Sequence, residues 1–164
     1  MDAFFTHILS QTTVPVLGHS EYAGQVTIAV SQKDLFSFLK LLKEQFGFDY
    51  FSDLANVDHF TDENRFELIY NLLNLAENKR LFVSCRLSEE SLEVESVVSL
   101  WPAANWNERE TYDMMGISFK NHPDLRRMYM PEDFEYFPMR KDFPLLGIPG
   151  SIQLPEKALE RGYK

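Results

Sequence analysis

Five prolines, at positions 102, 123, 131, 138 and 144, punctuate a single 44-residue stretch that runs from Trp101 to Pro144. Proline removes a backbone donor and clashes with the preceding helical turn, so long helices are broken here, and with ladder hydrogen bonds blocked the stretch is not expected to build a sheet of its own. The same stretch holds nine of the chain's 23 aromatic residues, with eight acidic and six basic side chains woven between them. Disordered segments are poor in aromatics because they cannot bury enough apolar surface to offset the entropy of ordering. This ribbon is therefore expected to be fixed against folded protein, either its own domain or a neighbour.

The 120 residues outside that stretch carry 17 acids against 10 bases, within a whole-chain net charge of −9. Phosphate neutralisation needs clustered lysine and arginine, so nucleic acid is not expected as a partner. The N-terminal run MDAFFTHILSQTT shows neither a basic n-region nor an Arg-rich pattern, and no window approaches the ~20 apolar residues that span a bilayer. One cysteine, Cys85, leaves no internal disulfide and fits a reducing compartment, so a cytoplasmic setting is expected. One Cys and four scattered His cannot supply a Cys₄ cluster or a structural zinc site, and neither GxGxxG nor GxxxxGK[ST] occurs. Any redox cofactor is expected on another subunit.

Taken in order, residues 23–30 alternate as a half-buried strand with Val26, Ile28 and Val30 on one face. Ser31 to Asp34 resembles a capping box opening a helix, in which Leu35, Phe38, Leu39, Leu42 and Phe46 recur at helical spacing before Gly47 ends it. A strand is predicted around 54–58, a turn at 61–64, a central strand over 65–75 through Phe66, Leu68, Tyr70 and Leu72, and a further strand through Leu81, Val83, Cys85 and Leu87. Residues 91–100 fit either a short helix capped by Ser96 or an edge strand through Leu92 and Val94. Phe4, Phe5 and Ile8 fit either a frayed terminus or a short docking helix, and Pro155 to Glu160 a last helical turn or two. The fold class is thus α+β, a helix packed on a mainly antiparallel sheet, followed by an extended Pro- and aromatic-rich C-terminal arm. Residues 1–102 form the predicted globular domain and residues 103–164 a short helix and arm used for contacts with other subunits.

The start of that second part is a helix over Trp106 to Met115, with Asn105 as N-cap, Glu108 placed to reach back to the cap, and Gly116 as terminator. Glu108, Glu110 and Asp113 crowd it with negative charge, and Arg109 stands four residues before Asp113. Basic partners are available downstream in Arg126-Arg127 and Arg140-Lys141.

Glu108-Arg109-Glu110, Asp113-Met114-Met115-Gly116-Ile117, Phe119, His122-Pro123-Asp124-Leu125-Arg126-Arg127 and Arg140-Lys141-Asp142-Phe143-Pro144, in this order and spacing, resemble the thirty-kilodalton (30 kDa) or C subunit of the proton-pumping NADH:quinone oxidoreductase, respiratory complex I. The resemblance runs from about Ala103 to Pro144, with Met115, Asn121 and Met139 standing where the family favours an aromatic, Gly and Leu. It implies a peripheral-arm subunit on the cytoplasmic face of a bacterial membrane, held to the membrane through the complex and touching chiefly subunits D and B near the site of quinone reduction. No flavin, cluster or quinone ligand is implied on this chain; FMN and iron–sulfur clusters belong to partner subunits. Related chains occur in NDH complexes, F420H2 dehydrogenases and membrane-bound hydrogenases. Trp106, Glu108, Arg109, Glu110, Asp113, Gly116, His122, Pro123, Asp124, Arg126, Arg127, Arg140, Lys141 and Asp142 are the candidate interface or structural residues, with no catalytic or metal ligand among them.

A rival reading makes Glu110, Asp113 and His122 the acid/base set of a free-standing hydrolase. Two carboxylates on different helix faces and a lone His argue against it. Exposed ion pairs contribute only about 0 to 1 kcal/mol, but interleaving with Trp106, Tyr112, Phe119, Tyr129 and Phe143 would desolvate the charges and make pairing obligatory. A paired network is expected, inside the chain or across an interface.

Overall fold

The computed structural model describes residues 3–60 and 62–144. Ten elements follow one another: α1 (Ala3–Gln11), β1 (Val16–Tyr22), β2 (Gln25–Val30), α2 (Leu35–Phe46), β3 (Tyr50–Asp58), β4 (Phe66–Asn74), β5 (Lys79–Leu87), β6 (Glu93–Glu95), α3 (Ala104–Met115) and β7 (Ser118–Lys120). The first five strands make one sheet in the order β1-β2-β5-β4-β3, and β6 pairs with β7 in a separate parallel ribbon. The sheet is antiparallel except at its centre, where β2 lies parallel to β5 with Val26 opposite Leu81 and Val30 opposite Cys85. The predicted class holds: α+β on a mainly antiparallel sheet.

Alternation places one face of β4 and β5 in the core, where Phe66, Leu68, Tyr70, Leu72, Leu81, Val83 and Leu87 are all at most 1% exposed. Leu35, Phe38, Leu39 and Leu42 of α2 pack into the same core, as their spacing predicts. Phe5 and Ile8 of α1 complete it, so the N-terminal segment is a docked helix. Cys85 is buried among these side chains, and desolvation pushes its thiol up to about 12.

Several boundaries differ from the predicted ones for physical reasons. The capping box at Ser31 is not made: the Ser31 hydroxyl donates to the Asp34 carboxylate at 2.6 Å, and α2 starts at Leu35 with no side-chain cap bond. Gly47 does take the left-handed conformation expected of it, at φ 69°. β3 is longer than 54–58, and β1, which the sequence does not signal, is a solvent-exposed edge. Of the two readings of 91–100 the strand holds, with Val94 in β6; in place of a helix, the Val97 carbonyl accepts from the N–H groups of Leu100 and Trp101 in a tight turn. Residues 155–160 lie outside the described residues.

The core continues past residue 102. Trp101 donates its indole N–H to the Phe48 carbonyl at 3.1 Å, and Ala104, Met115, Ile117 and Phe119 are each at most 4% exposed. α3 packs on edge strand β3, where Asn56 donates to the Thr111 hydroxyl at 3.1 Å.

Candidate functional site

α3 begins earlier than predicted, with Ala103 at the cap, and this frees Glu108 from capping. Its carboxylate points inward. It accepts the Ser96 hydroxyl at 2.6 Å and the Val97 N–H at 2.7 Å, tying α3 to the turn after β6. The residue is fully buried with no cation in contact, and desolvation pushes its pKa up to about 7 against the pull of those two hydrogen bonds. The His122 imidazole is buried beside it, Nε2 standing 3.9 Å from the carboxylate. His122 Nδ1 accepts the Asp124 N–H at 3.0 Å, so the proton is assigned to Nε2, which faces the Asn105 carbonyl at 3.3 Å. Burial, with Arg109 nearby, lowers the pKa of this ring.

Asp113 is the anchor of the arm. The carboxylate is fully buried, and one oxygen receives the backbone N–H groups of Met128, Tyr129 and Met130 at 2.9, 2.7 and 3.0 Å. The other receives Arg127 Nη1 at 2.6 Å. Burial pushes this carboxyl up, but the three N–H groups and the guanidinium together outweigh it and hold the pKa below the usual carboxylate range. Arg127, one of the downstream bases the sequence offers, thus takes Asp113, and Arg109, four residues away on the helix, does not. Arg109 instead lies 5.0 Å over the Trp106 ring and donates to the carbonyls of Arg126 and Arg127 at 3.2 and 3.4 Å.

A second lock closes the far end of the arm. Arg65, 5% exposed just before β4, grips Asp58 through two bonds of 2.8 Å and reaches Glu89 at 3.0 Å and Asp142 at 2.9 Å. The Lys141 N–H adds a bond to Asp58 at 2.8 Å. The Arg65 guanidinium holds the Asp58 carboxyl, and likewise that of Asp142, below the usual range. Arg140 donates to the Met115 carbonyl at 2.7 Å and stacks between Phe66 and Phe137, at 5.1 and 4.6 Å. Gly116, at φ 76°, lies beneath it; a Cβ there would stand 2.6 Å from Arg140 Nη2 and from the Phe137 ring.

The structure thus brings together Trp106, Glu108, Arg109, Asp113, Gly116, His122, Arg127, Arg140, Lys141 and Asp142. Asp124 and Arg126 pair with each other at 2.9 Å on the exposed surface. Pro123 and Glu110 are exposed as well, and Glu110 forms no ion pair among the described residues. Arg65, Asp58, Glu89 and Ser96 are part of the site although sequence reasoning did not place them there. The only signal was chemical: a charged residue at each end of the β3–β4 connection, next to Phe66.

The hydrolase reading finds no geometry here. Asp113 is saturated, both His122 nitrogens face backbone partners, and no hydrogen bond joins either of them to Glu110. Among the described residues no group of three His, Cys, Asp or Glu is placed to hold a metal ion, and no helix is long and apolar enough to cross a membrane.

Residues 28–148 match the family model described as respiratory-chain NADH dehydrogenase, 30 Kd subunit. The C subunit of the NADH-quinone oxidoreductase from Geotalea uraniireducens is 39% identical over 132 residues, 80% of each chain. A C subunit numbered 2, from the NADH-quinone oxidoreductase of Rhizobium etli, is 48% identical over 126 residues, 76% of this chain and 67% of that one. Among solved structures, a trypsin-resistant fragment of Nqo5 superposes with a TM-score of 0.66 at 27% identity, covering 74% of this chain and 99% of the fragment. A chain of the membrane-bound sulfane sulfur reductase, an archaeal respiratory membrane complex, shares the fold at a TM-score of 0.74 and 22% identity, covering 97% of this chain and 88% of that one.

Fold and site together define an α+β scaffold in which buried motif charges lock a proline-rich arm onto a helix and a sheet edge. With the sequence matches, the class is that of an oxidoreductase-complex subunit. The chain belongs to the 30 Kd subunit family of respiratory-chain NADH dehydrogenase.

Proposed function

We propose that this chain is a non-catalytic peripheral-arm subunit of a proton-pumping NADH:quinone oxidoreductase, holding together the subunits that carry the clusters and the quinone site. In this reading it lies on the cytoplasmic face of a bacterial membrane, touches chiefly subunits D and B, and relies on FMN and iron–sulfur clusters bound by its partners. Residues 1–102, whose core α3 and β7 complete, serve as the supporting domain, and residues 103–164 present the surface that contacts the other subunits.

One observation carries this reading. Asp113, Arg127 and Arg140 of the motif turn into the chain and, with the Arg65–Asp142 pair, fix the arm, while Trp106, Tyr129, Tyr136 and Met139 are left 47–61% exposed. Rings and thioethers held rigidly in water by buried ion pairs suit a permanent interface better than a solvated surface. Fixing their backbone beforehand lowers the entropy lost on docking.

The test is genetic complementation. Membranes from a strain lacking this chain should show loss of NADH:quinone oxidoreductase activity and of the full-size complex on native gels. Wild-type chain restores both; Trp106→Ala restores them poorly although the purified variant melts like wild type. Normal activity and complex size in the deleted strain would refute the proposal.

A further inference from the structure

Residues 128–139 contain no lysine or arginine and three carboxylates, Glu132, Asp133 and Glu135. All three are exposed, and among the described residues none of them joins an ion pair, whereas Asp113 of α3 and Asp124 and Asp142 of the arm each meet an arginine. Around them stand the exposed side chains of Tyr129, Tyr136 and Met139, at 58%, 47% and 59% of their full accessible area. The backbone that bears this patch is held from below. Asp113 collects the N–H groups of 128 to 130, Arg127 donates to the Tyr136 carbonyl, and the Met139 N–H donates to the Met114 carbonyl at 3.1 Å.

The chemistry of the patch selects its occupant. Aromatic faces attract cations, guanidinium above all, and a free carboxylate beside a ring adds a charge-assisted bond with fork geometry. The inner side of the same arm already uses this combination: Arg127 lies 5.8 and 5.2 Å from the Phe134 and Phe137 rings while bonding Asp113. A second copy of this chain, at net charge −9, a nucleic acid and an anionic lipid surface are all repelled by the three carboxylates. We propose that the Tyr129–Met139 face of the arm is a docking surface for an arginine-bearing segment of another protein. This rests on the reading of the chain as a subunit of an assembly and adds the charge and chemistry of the neighbour on this face.

Rebinding of fluorescently labelled full-length chain to membranes from cells lacking it tests the proposal, read as Kd over a range of salt. Three rim carboxylates at about 0.5 kcal/mol each correspond to a roughly ten-fold change in affinity. The E132Q/D133N/E135Q variant is expected to bind roughly ten-fold more weakly, with a flatter salt dependence, while its circular dichroism and melting stay those of wild type. The E63Q/E77Q/E90Q variant, with the same change in net charge on other exposed surface, should match wild-type binding. A photo-reactive residue replacing Tyr136 should cross-link to a partner peptide that contains arginine. Equal weakening by both triple variants, or cross-links to lipid, to residues 145–164 of the same chain or to a partner surface without basic residues, would overturn the docking face. If wild-type chain binds tightly and the first triple variant binds equally well, the docking face alone falls; if the deletion strain keeps a full-size, active complex, the subunit reading falls with it.

Discussion

Glu108→Gln is a sharp test of how the helix α3 is held. In the wild type this fully buried carboxyl has its pKa pushed from 4.5 to about 7, so the folded state holds a proton that the unfolded state releases. The sign follows from linkage. Between pH 4.5 and 7 the folded state binds more protons, so the contribution of Glu108 is fully present below 4.5 and is lost as pH rises through 7. A shift of that size corresponds to roughly 3 kcal/mol. Glutamine keeps the geometry, its carbonyl accepting the Val97 N–H and its amide donating to the Ser96 oxygen, and it does not titrate. His122, whose pKa is lowered, contributes with the opposite sign, present above its ordinary 6.5 and lost as pH falls; it is present in both proteins, and below pH 6.5, where it charges, their difference also carries its coupling to Glu108 at 3.9 Å. Urea unfolding at intervals from pH 5 to pH 8 should find the variant within about 1 kcal/mol of wild type at pH 5 and more stable by roughly 2 to 3 kcal/mol at pH 8. A variant that runs parallel to wild type, or is less stable at pH 8, would refute the desolvation argument.

Asp113→Ala orphans three N–H groups and a guanidinium held almost out of solvent, and should cost about 3 to 5 kcal/mol in urea unfolding. Asp58 and Asp142 have lowered folded pKa values, so their contribution is complete above their ordinary 3.8 and is lost as pH falls below it. An acid titration followed by circular dichroism should show wild type losing stability below about pH 4, and Arg65→Met, already without this contribution, showing a shallower loss. Gly116→Ala combines a left-handed backbone with a Cβ 2.6 Å from Arg140 and Phe137; melting should report a loss of about 1 to 3 kcal/mol, and trypsin should cut sooner at exposed Arg126.

Much of the fold could be read from residue order alone where one face is buried and the other is not. The spacing of Leu35, Phe38, Leu39 and Leu42, and the alternation of Phe66 through Leu72, fix the faces of α2 and β4. β1 escaped because an edge strand exposed on both faces has no alternation to show; Leu17 and Tyr22 are 70% and 86% exposed. The parallel pairing of β2 with β5 escaped for another reason: it joins residues 55 positions apart, and no local pattern encodes that distance. In the site, the need for pairing and the downstream source of the bases were legible, but which residue meets which was not. Arg109 stands at helical spacing from Asp113, yet Asp113 takes Arg127 because three convergent N–H groups come with it. Glu108 looked like a cap because sequence cannot show that Ser96 and Val97 turn their donors toward it.

The Arg65 hub also imposes an order of events. Asp58 lies seven positions from Arg65, across one hairpin connection, whereas Asp142 lies 77 positions away. The near half of the clasp is therefore ready as soon as β3 meets β4, and the far half must wait until the rest of the polypeptide has wrapped around α3. One guanidinium thereby fastens both ends of the path around α3, the strand connection before it and the ribbon after it.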